Sequence, residues 1–184
     1  MGFHTFDPEK AEKLEDAERY RYVSREELVS SLNLSGEETV ADLGSGTGFY
    51  TDDVAPFAGK LFAIDVQDAM HEHYRAKGVP ENVSLVTADV ADVPFSDGEL
   101  DAVFSTMTFH EFAGDEQLSE VARALKPGGR FVVADWTAEG RGESGPPVDE
   151  RYDLEAARDL LETAGFEIEY ESERPETFLL VASI

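Results

Sequence analysis

Three aspartates of this 184-residue chain stand where a nucleoside-like ligand would be held. Asp42 comes just before the glycine-rich run 44–48, and Asp65 lies 21 residues after the first glycine of that run. Asp89 follows a third apolar segment. In a doubly wound sheet, ligands bind at the carboxyl ends of the strands, and an acid about 20 residues after the first loop accepts hydrogen bonds from ribose hydroxyls. Because a rim of carboxylates repels a pyrophosphate, these residues favour a cationic nucleoside.

The glycine-rich run, Gly44-Ser-Gly-Thr-Gly48, follows the first predicted strand. Glycines at such a turn let the backbone approach a ligand closely and adopt unusual dihedral angles. The Gly-x-Gly-x-Gly spacing differs from the Gly-x-Gly-x-x-Gly fingerprint of dinucleotide-binding folds. Any tight strand-to-helix turn also favours glycine, so the run by itself is open to a purely structural interpretation.

A second group of polar residues lies in and beyond segment 106–112, after the fourth predicted strand. His110 is a candidate general base, because the unperturbed pKa of histidine is near neutrality. Glu111 would bind a cationic substrate or orient His110. The alternative for His110 is a hydrogen bond to a neighbouring carbonyl. Asp135 and Trp136 end the fifth predicted strand and are candidates for the same site, although Trp136 suits packing equally well.

His71 and His73 suggest a metal site at first sight. Residues two positions apart on a helix point to different faces, so the two imidazoles would not bind one ion together. We therefore expect no metal site.

Alternating apolar and helical segments must position these residues. The predicted strands are 39–43, 61–65, 83–87, 100–105, 130–136, 166–172 and 177–183, and helical patterns cover 8–32, 49–58, 67–77, 115–125 and 150–164. The turn between the last two strands is too short for a crossover helix, so they should pair antiparallel. The pattern predicts an α/β fold with a doubly wound, Rossmann-like, seven-stranded, mostly parallel sheet and an antiparallel C-terminal hairpin. We expect one domain over residues 1–184, with an N-terminal helical cap over 1–35 and a cofactor-binding core over 36–184.

The chain is strongly acidic, with 40 Asp+Glu against 15 Lys+Arg and a formal net charge of −25. Nucleic acids and anionic membranes need a basic face, so neither is an expected partner. The lack of cysteine excludes disulfides and thiolate sites. With no membrane-length apolar run and no signal-peptide pattern, we expect a cytoplasmic protein. The acid excess and scarce lysine resemble proteins of halophilic archaea, in which salt screens the self-repulsion.

Four motifs in order resemble those of class I S-adenosylmethionine-dependent methyltransferases, in particular the small, ubiquinone/menaquinone methyltransferase-like group (type 11). The motifs are 40–48, 63–66, 87–90 with 93–101, and 125–131. The resemblance implies that Gly44 and Gly46, with Ser45 between them, pass under the methionine part of the cofactor. It also implies that Asp42 orients this loop and that Asp65 holds the ribose hydroxyls.

The resemblance assigns the remaining cofactor contacts as well. Either Val66 or Gln67 would line one face of the adenine, and Asp89 would accept from the adenine amino group with the Val90 backbone beside it. Ser105 and its neighbour Thr106 would lie near the methionine and the transferred methyl group. An N-terminal segment often folds over the cofactor in this family, which makes a further set of residues lid candidates. They are His4, Phe6, Tyr20 and Tyr22.

These features together predict S-adenosylmethionine-dependent methyl transfer to a small-molecule acceptor by a monomer or homodimer. His110 and Glu111 are the candidate catalytic residues. One alternative is a protein that binds S-adenosylmethionine without catalysis. An NAD-dependent oxidoreductase is a further alternative, and the glycine spacing and the acidic rim count against it.

Overall fold

The computed structural model describes residues 6–184, so the predicted lid residue His4 lies outside the described residues. Within that range the strands are β1 Thr39–Leu43, β2 Lys60–Asp65, β3 Val83–Thr87, β4 Leu100–Thr106, β5 Leu125–Trp136, β6 Glu167–Glu173 and β7 Thr177–Ser183. They form one sheet in the order β3-β2-β1-β4-β5-β7-β6. Strands β1 to β5 are parallel, whereas β7 pairs antiparallel with both β5 and β6. The predicted doubly wound sheet with an antiparallel C-terminal hairpin is confirmed.

Helices cover both faces of this sheet. They are α1 Arg25–Leu32, α2 Phe49–Val54, α3 Asp68–Lys77, α4 Phe109–Phe112, α5 Asp115–Ala124 and α6 Leu154–Thr163. Buried side chains of α1, α2 and α3 belong to one hydrophobic cluster, and those of α4, α5 and α6 belong to the other. None of the helices among the described residues has the length and apolar character needed to cross a membrane.

The strands contribute side chains to both hydrophobic clusters, because successive side chains of a strand point to opposite faces of the sheet. Phe131 and Val133 of β5 pack in the cluster with α5 and α6, whereas Val132 and Ala134 pack in the cluster with α1 and α2. Neighbouring strands β1 and β4 lead into α2 and α4, which lie on opposite faces. A crevice therefore opens between the loops that follow β1 and β4, as expected at a switch point of such a sheet.

The N-terminal segment differs from the continuous helical stretch predicted for residues 8–32. It contains two 3-10 segments, Pro8–Glu15 and Ala17–Arg21, before α1 begins. Asp16 has an extended backbone between them, and its side chain accepts a hydrogen bond from the Glu18 N–H, which starts the second segment instead of continuing the first. Only Ala11 of the first segment is buried, so little packing supports a longer helix there.

Several further boundaries depart from the sequence pattern. The helix predicted over 49–58 ends as α2 at Val54 and continues as a 3-10 turn over Ala55–Phe57. Pro56 has no N–H to donate, which favours this change. The segment after β4, expected to be a loop, contains the short helix α4. That helix presents His110 and Glu111 on one turn.

Candidate functional site

A cavity of about 1000 Å³ opens where the loops after β1 to β5 meet. Nine of the eleven site residues predicted from the sequence line it, whereas Asp42 and Ser105 do not. The nine are Gly44, Ser45, Gly46, Asp65, Val66, Asp89, Val90, His110 and Glu111. Residues spread over almost 70 positions of the chain thus meet in one crevice, because parallel strands bring their carboxyl ends to the same edge.

Asp65 joins the loops after β1 and β2. Its Oδ2 accepts a hydrogen bond from the backbone N–H of Gly46, and its Oδ1 accepts one from the N–H of Gln67, each at 2.9 Å. A carboxylate offers about four acceptor positions, so both oxygens can still accept from a ligand. Burial raises the pKa of Asp65 and outweighs the lowering effect of the two backbone hydrogen bonds.

Gly44 and Gly46 have positive φ angles of +74° and +54°. A Cβ atom on Gly44 would lie 2.3 Å from Cγ2 of Thr108, and one on Gly46 would lie 3.3 Å from Cδ1 of Leu14. The loop is therefore packed between the segment after β4 and the N-terminal segment. Close approach of the protein's own side chains is a sufficient reason for glycine here, in addition to any approach of a ligand.

Asp42 lies beneath this loop and is only 1 % exposed. Its Oδ2 accepts a hydrogen bond from the Thr51 hydroxyl of α2 at 2.6 Å, and its Oδ1 has no hydrogen-bond partner among the described residues. Burial raises the pKa of Asp42 to about 7, although the hydrogen bond from Thr51 and the charge of Arg19 oppose the shift. Asp42 can thus act on the site through its position under the loop and through its charge, but not by forming part of the cavity wall.

Ser105 does not reach the cavity, contrary to its predicted place beside the methionine end of a cofactor. It is completely buried, and its hydroxyl has no hydrogen-bond partner among the described residues. The next residue of β4, Thr106, lines the cavity instead. Adjacent side chains of a strand point to opposite faces, so only one of the two can face the crevice.

The opposite part of the cavity is formed by the loops after β2 and β3. Val66 lines the cavity, and this apolar residue is 54 % exposed. Asp89 accepts a hydrogen bond from the Ala91 N–H at 2.8 Å and caps the 3-10 turn Val90–Asp92. Asp89 therefore has an ordinary turn-capping role while it also lines the cavity.

Three residues of the N-terminal segment that the sequence did not single out form another part of the wall. They are Lys13, Leu14 and Arg19. The Arg19 guanidinium donates to the Leu14 carbonyl at 2.7 Å and lies 4.9 Å from the ring centroids of Phe49 and Tyr50. It has no carboxylate within ion-pair distance among residues 6–184, which is notable in so acidic a chain. No local pattern identified Arg19, because the rings on which its guanidinium packs are about 30 residues away in sequence.

The predicted lid residues divide into two groups. Phe6 and Tyr22 line the cavity. Tyr20 does not, because its ring packs on Phe49 and its hydroxyl donates to Asp53 at 2.7 Å. Contacts of this kind hold the N-terminal segment against α2.

His110 is held by Asp135, which is buried at the end of β5. Oδ2 of Asp135 accepts from the backbone N–H of His110 at 2.6 Å and lies 2.9 Å from His110 Nδ1. The Nε2 atom of His110 is 3.9 Å from Oε1 of Glu111. Burial lowers the pKa of His110, but the hydrogen bond and charge of Asp135, helped by the charge of Glu111, raise it above its ordinary value. Burial raises the pKa of Glu111 to about 7.

Trp136, the residue after Asp135, forms an aromatic part of the cavity wall. Tyr22 packs edge-on against it with ring centroids 4.6 Å apart, and the Arg151 guanidinium lies 5.4 Å from its ring centroid. Gly145 lies so close that a Cβ atom there would be 2.5 Å from the indole. Pro146 of the same loop also lines the cavity. These loop residues were not among the predicted site residues, and their place in the cavity wall and their contact with Trp136 reveal them.

Comparisons with known proteins agree with this geometry. The family model described as a methyltransferase domain matches residues 41–133, just over half of the chain. The crystal structure of a SAM-dependent (S-adenosylmethionine-dependent) methyltransferase from Aquifex aeolicus is similar to this chain, with a TM-score of 0.89 and 32 % sequence identity. The similarity covers 98 % of this chain and 100 % of the Aquifex chain. The chain belongs to the S-adenosylmethionine-dependent methyltransferase family. The cofactor of this family is S-adenosylmethionine, and the predicted family resemblance is confirmed.

Curated relatives of this chain carry names that refer to different acceptors. The sterol 24-C-methyltransferase of Eremothecium gossypii is 29 % identical over 81 % of this chain and 45 % of its own length. The demethylmenaquinone methyltransferase of Corynebacterium glutamicum is 34 % identical over 62 % of this chain and 49 % of its own length. The chain spans less than half the length of each, so these relatives identify the family and not the acceptor.

Proposed function

We propose that this chain binds S-adenosylmethionine in the cavity and catalyses methyl transfer to a small-molecule acceptor. One observation carries the proposal. The cavity after β1 to β5 has Asp65 on one side and the buried His110–Asp135 pair on another, so one crevice offers both a nucleoside site and an acid–base pair.

The groups around the cavity fit the chemistry of this cofactor. Asp65 has acceptor positions left for the two ribose hydroxyls after pairing with Gly46 and Gln67. Arg19, which has no carboxylate partner among the described residues, would pair with the carboxylate of the methionine part. The buried Ser45 hydroxyl lacks a protein partner there and can pair with a polar group of the ligand. Asp42 and Asp65 contribute negative charge where the cofactor carries positive charge.

Val66, Asp89 and Val90 would surround the adenine, in line with their positions after β2 and β3. When bound, the cofactor supplies a methyl group that is already activated on a sulfonium sulfur. The protein then has to position an acceptor, exclude water and, for an acceptor that loses a proton, remove that proton. We assign the proton-handling role to His110 and Glu111. The N-terminal segment, which contributes Leu14 and Tyr22 to the cavity wall, would exclude water.

The experiment that tests the proposal is calorimetric titration with S-adenosylmethionine, S-adenosylhomocysteine and NAD at high salt. Wild-type protein should bind the first two and not NAD. Asp65→Asn, which keeps the shape and loses the charge, should weaken binding by about 10- to 100-fold, because hydrogen bonds to charged groups contribute about 1.5–3 kcal/mol. Asp159→Asn, an exposed change in α6 with the same loss of charge, is the matched control. Binding of NAD alone would overturn the proposed function, and unchanged binding by Asp65→Asn would overturn the role of Asp65.

We also propose that the protein works in the cytoplasm of a salt-accumulating cell, as a monomer or homodimer without a nucleic-acid or membrane partner. The supporting observation is the net charge of −25. Such a charge destabilises a compact state through self-repulsion in dilute buffer, and molar salt shortens the Debye length to about 3 Å. A folded, monodisperse protein in molar KCl that unfolds on dialysis is the expected result. Full stability in dilute buffer would contradict the salt adaptation.

A further inference from the structure

Arg151 is a buried arginine that donates mainly to backbone carbonyls. Its side chain is only 1 % exposed. Nε donates to the Pro146 carbonyl at 2.9 Å, and Nη2 donates to the carbonyls of Pro146, at 2.7 Å, and of Ser144. Nη1 donates to the Thr137 carbonyl at 3.4 Å and lies 3.6 Å from Oε2 of Glu176. One guanidinium thus joins the loop after β5 to the turn between β6 and β7.

That loop, residues 141–147, has few other interactions that could hold its shape. In the part of the chain that the structure describes, its one hydrogen bond to another backbone group is that of the Pro147 carbonyl, which accepts from the Glu150 N–H. The first N–H of the loop donates to Oε1 of Glu176 at 2.9 Å. Two of the seven loop residues are glycines, which leave the backbone many alternative conformations. The conformation of the loop therefore depends on Arg151 and Glu176.

Loop 141–147 also forms part of the cavity wall. Its last four residues, 144–147, line the cavity together with Trp136. A Cβ atom on Gly145 would lie 2.5 Å from the indole, and the guanidinium carbon of Arg151 lies 5.4 Å from the centroid of that ring. Trp136 is only 8 % exposed. The loop and Arg151 thus pack on the indole, and a loop that moved away would expose it.

The strand order separates this end of the cavity from the end where Asp65 and Asp89 lie. In the order β3-β2-β1-β4-β5, strand β5 lies beyond β4, whereas β2 and β3 lie on the other side of β1. Asp65 ends β2 and Asp89 comes two residues after β3, so both line the cavity at the end far from the loop after β5. A cofactor held by these two acids leaves the β5 end for the second molecule, the acceptor.

We propose that Arg151 is a positioning residue that holds loop 141–147 against Trp136 and so gives the acceptor end of the cavity a fixed shape. The proposal rests on the proposed function for the assignment of this end to the acceptor, and it gives Arg151 no contact with the cofactor. The planar guanidinium is needed because its fork of donors reaches three carbonyls at once. A lysine ammonium is a compact charge that cannot span them.

The first test uses Trp136, the only tryptophan of the chain, as a fluorescent probe of the loop in molar KCl. Arg151→Lys keeps the charge beside Glu176 and loses the fork, whereas Arg151→Met loses both. We expect acrylamide to quench Trp136 at least about twofold more strongly in each variant, because the loop opens locally once its carbonyls lose their donors. Arg158→Met, which removes a partly exposed arginine of α6 that pairs with Glu171, should retain wild-type quenching.

The second test measures binding of S-adenosylhomocysteine by calorimetry, which separates the loop from the cofactor. Arg151→Lys and Arg151→Met should bind it with an affinity within about twofold of the wild type, because distant sites without shared partners act independently. Arg158→Met is again the matched control.

A single introduced thiol tests the same separation by obstruction. The chain has no cysteine, so Ser144→Cys places one thiol on a loop residue that lines the cavity. Reaction with N-ethylmaleimide then adds a bulky group at the β5 end. We expect this adduct to bind S-adenosylhomocysteine as unmodified Ser144→Cys does. Lost binding by the adduct would show that the cofactor occupies the β5 end, and the assignment of that end to the acceptor would be wrong.

The outcomes keep this inference apart from the proposed function. If S-adenosylhomocysteine does not bind to the wild type, the proposed function fails, whereas the quenching of Trp136 still decides whether Arg151 holds the loop. Wild-type quenching in Arg151→Met overturns the positioning role, and wild-type quenching in Arg151→Lys alone overturns the need for the fork. If both variants unfold in molar KCl while Arg158→Met stays folded, Arg151 supports the whole fold and the positioning role is overturned as well.

Discussion

Asp42→Asn is expected to stabilise the cofactor-free protein while it weakens cofactor binding. The wild-type carboxylate is buried, has one oxygen without a partner among the described residues, and receives only the Thr51 hydroxyl as a hydrogen-bond donor. Burying a charge without full compensation is costly. An amide of the same shape removes the charge and can keep the contact with Thr51.

The magnitude follows from the pKa of Asp42, which burial raises from its ordinary value of 3.8 to about 7. Each pH unit of difference between folded and unfolded states corresponds to about 1.4 kcal/mol, so the ionised form costs about 4 kcal/mol. The sign follows from proton binding. Between pH 3.8 and about 7 the folded state holds a proton that the unfolded state has lost, so this residue's contribution to stability falls as pH rises through that window.

The assay is urea unfolding of wild type and Asp42→Asn at fixed high salt across pH 3 to 9. The difference in unfolding free energy should be near zero at pH 3, grow in favour of the variant between pH 4 and 7, and level off above pH 7 at about 4 kcal/mol. Asp159→Asn, with its exposed side chain, should show no such window. In calorimetry, Asp42→Asn should bind S-adenosylmethionine more weakly. A variant that is less stable than the wild type at pH 8 would refute the reasoning.

Three other predictions concern residues that line the cavity. Gly44→Ala should lower the unfolding free energy by about 2–4 kcal/mol in urea unfolding, because the new Cβ atom combines a positive φ with a clash against Thr108. Gly36 also has a positive φ but lies in open space, so Gly36→Ala should lower the unfolding free energy by only about 1 kcal/mol. Arg19→Met should weaken S-adenosylmethionine binding by at least about tenfold in calorimetry, and unchanged affinity would contradict the assignment of Arg19 to the carboxylate. With an acceptor that does not itself ionise over this range, kcat should rise with pH through the pKa of His110, which lies above its ordinary 6.5, because only the neutral ring accepts a proton. A rate that falls over this range would count against the base.

Local patterns in the sequence predicted the sheet well because several strands, such as β1 and β7, are short apolar runs bounded by turn residues. Strands β3 and β7 begin and end where the pattern placed them. The N-terminal segment was less predictable, because its charged residues fit a helix as well as a series of capped 3-10 segments. Its path is decided by distant contacts, such as those of Tyr20 with Asp53 and of Leu14 with the loop at Gly46.

For the site, sequence alone determined which loops meet, since the order of strands and glycine turns implies a doubly wound sheet whose carboxyl ends converge. It therefore predicted Asp65, at the end of β2, and His110, after β4, as site residues, and both line the cavity. Only the tertiary structure decided which side chain of an adjacent pair faces the cavity, as with Thr106 in place of Ser105. It also brought Arg19 into the wall and Asp135 to His110, because burial and hydrogen bonding depend on packing between segments that are far apart in the chain.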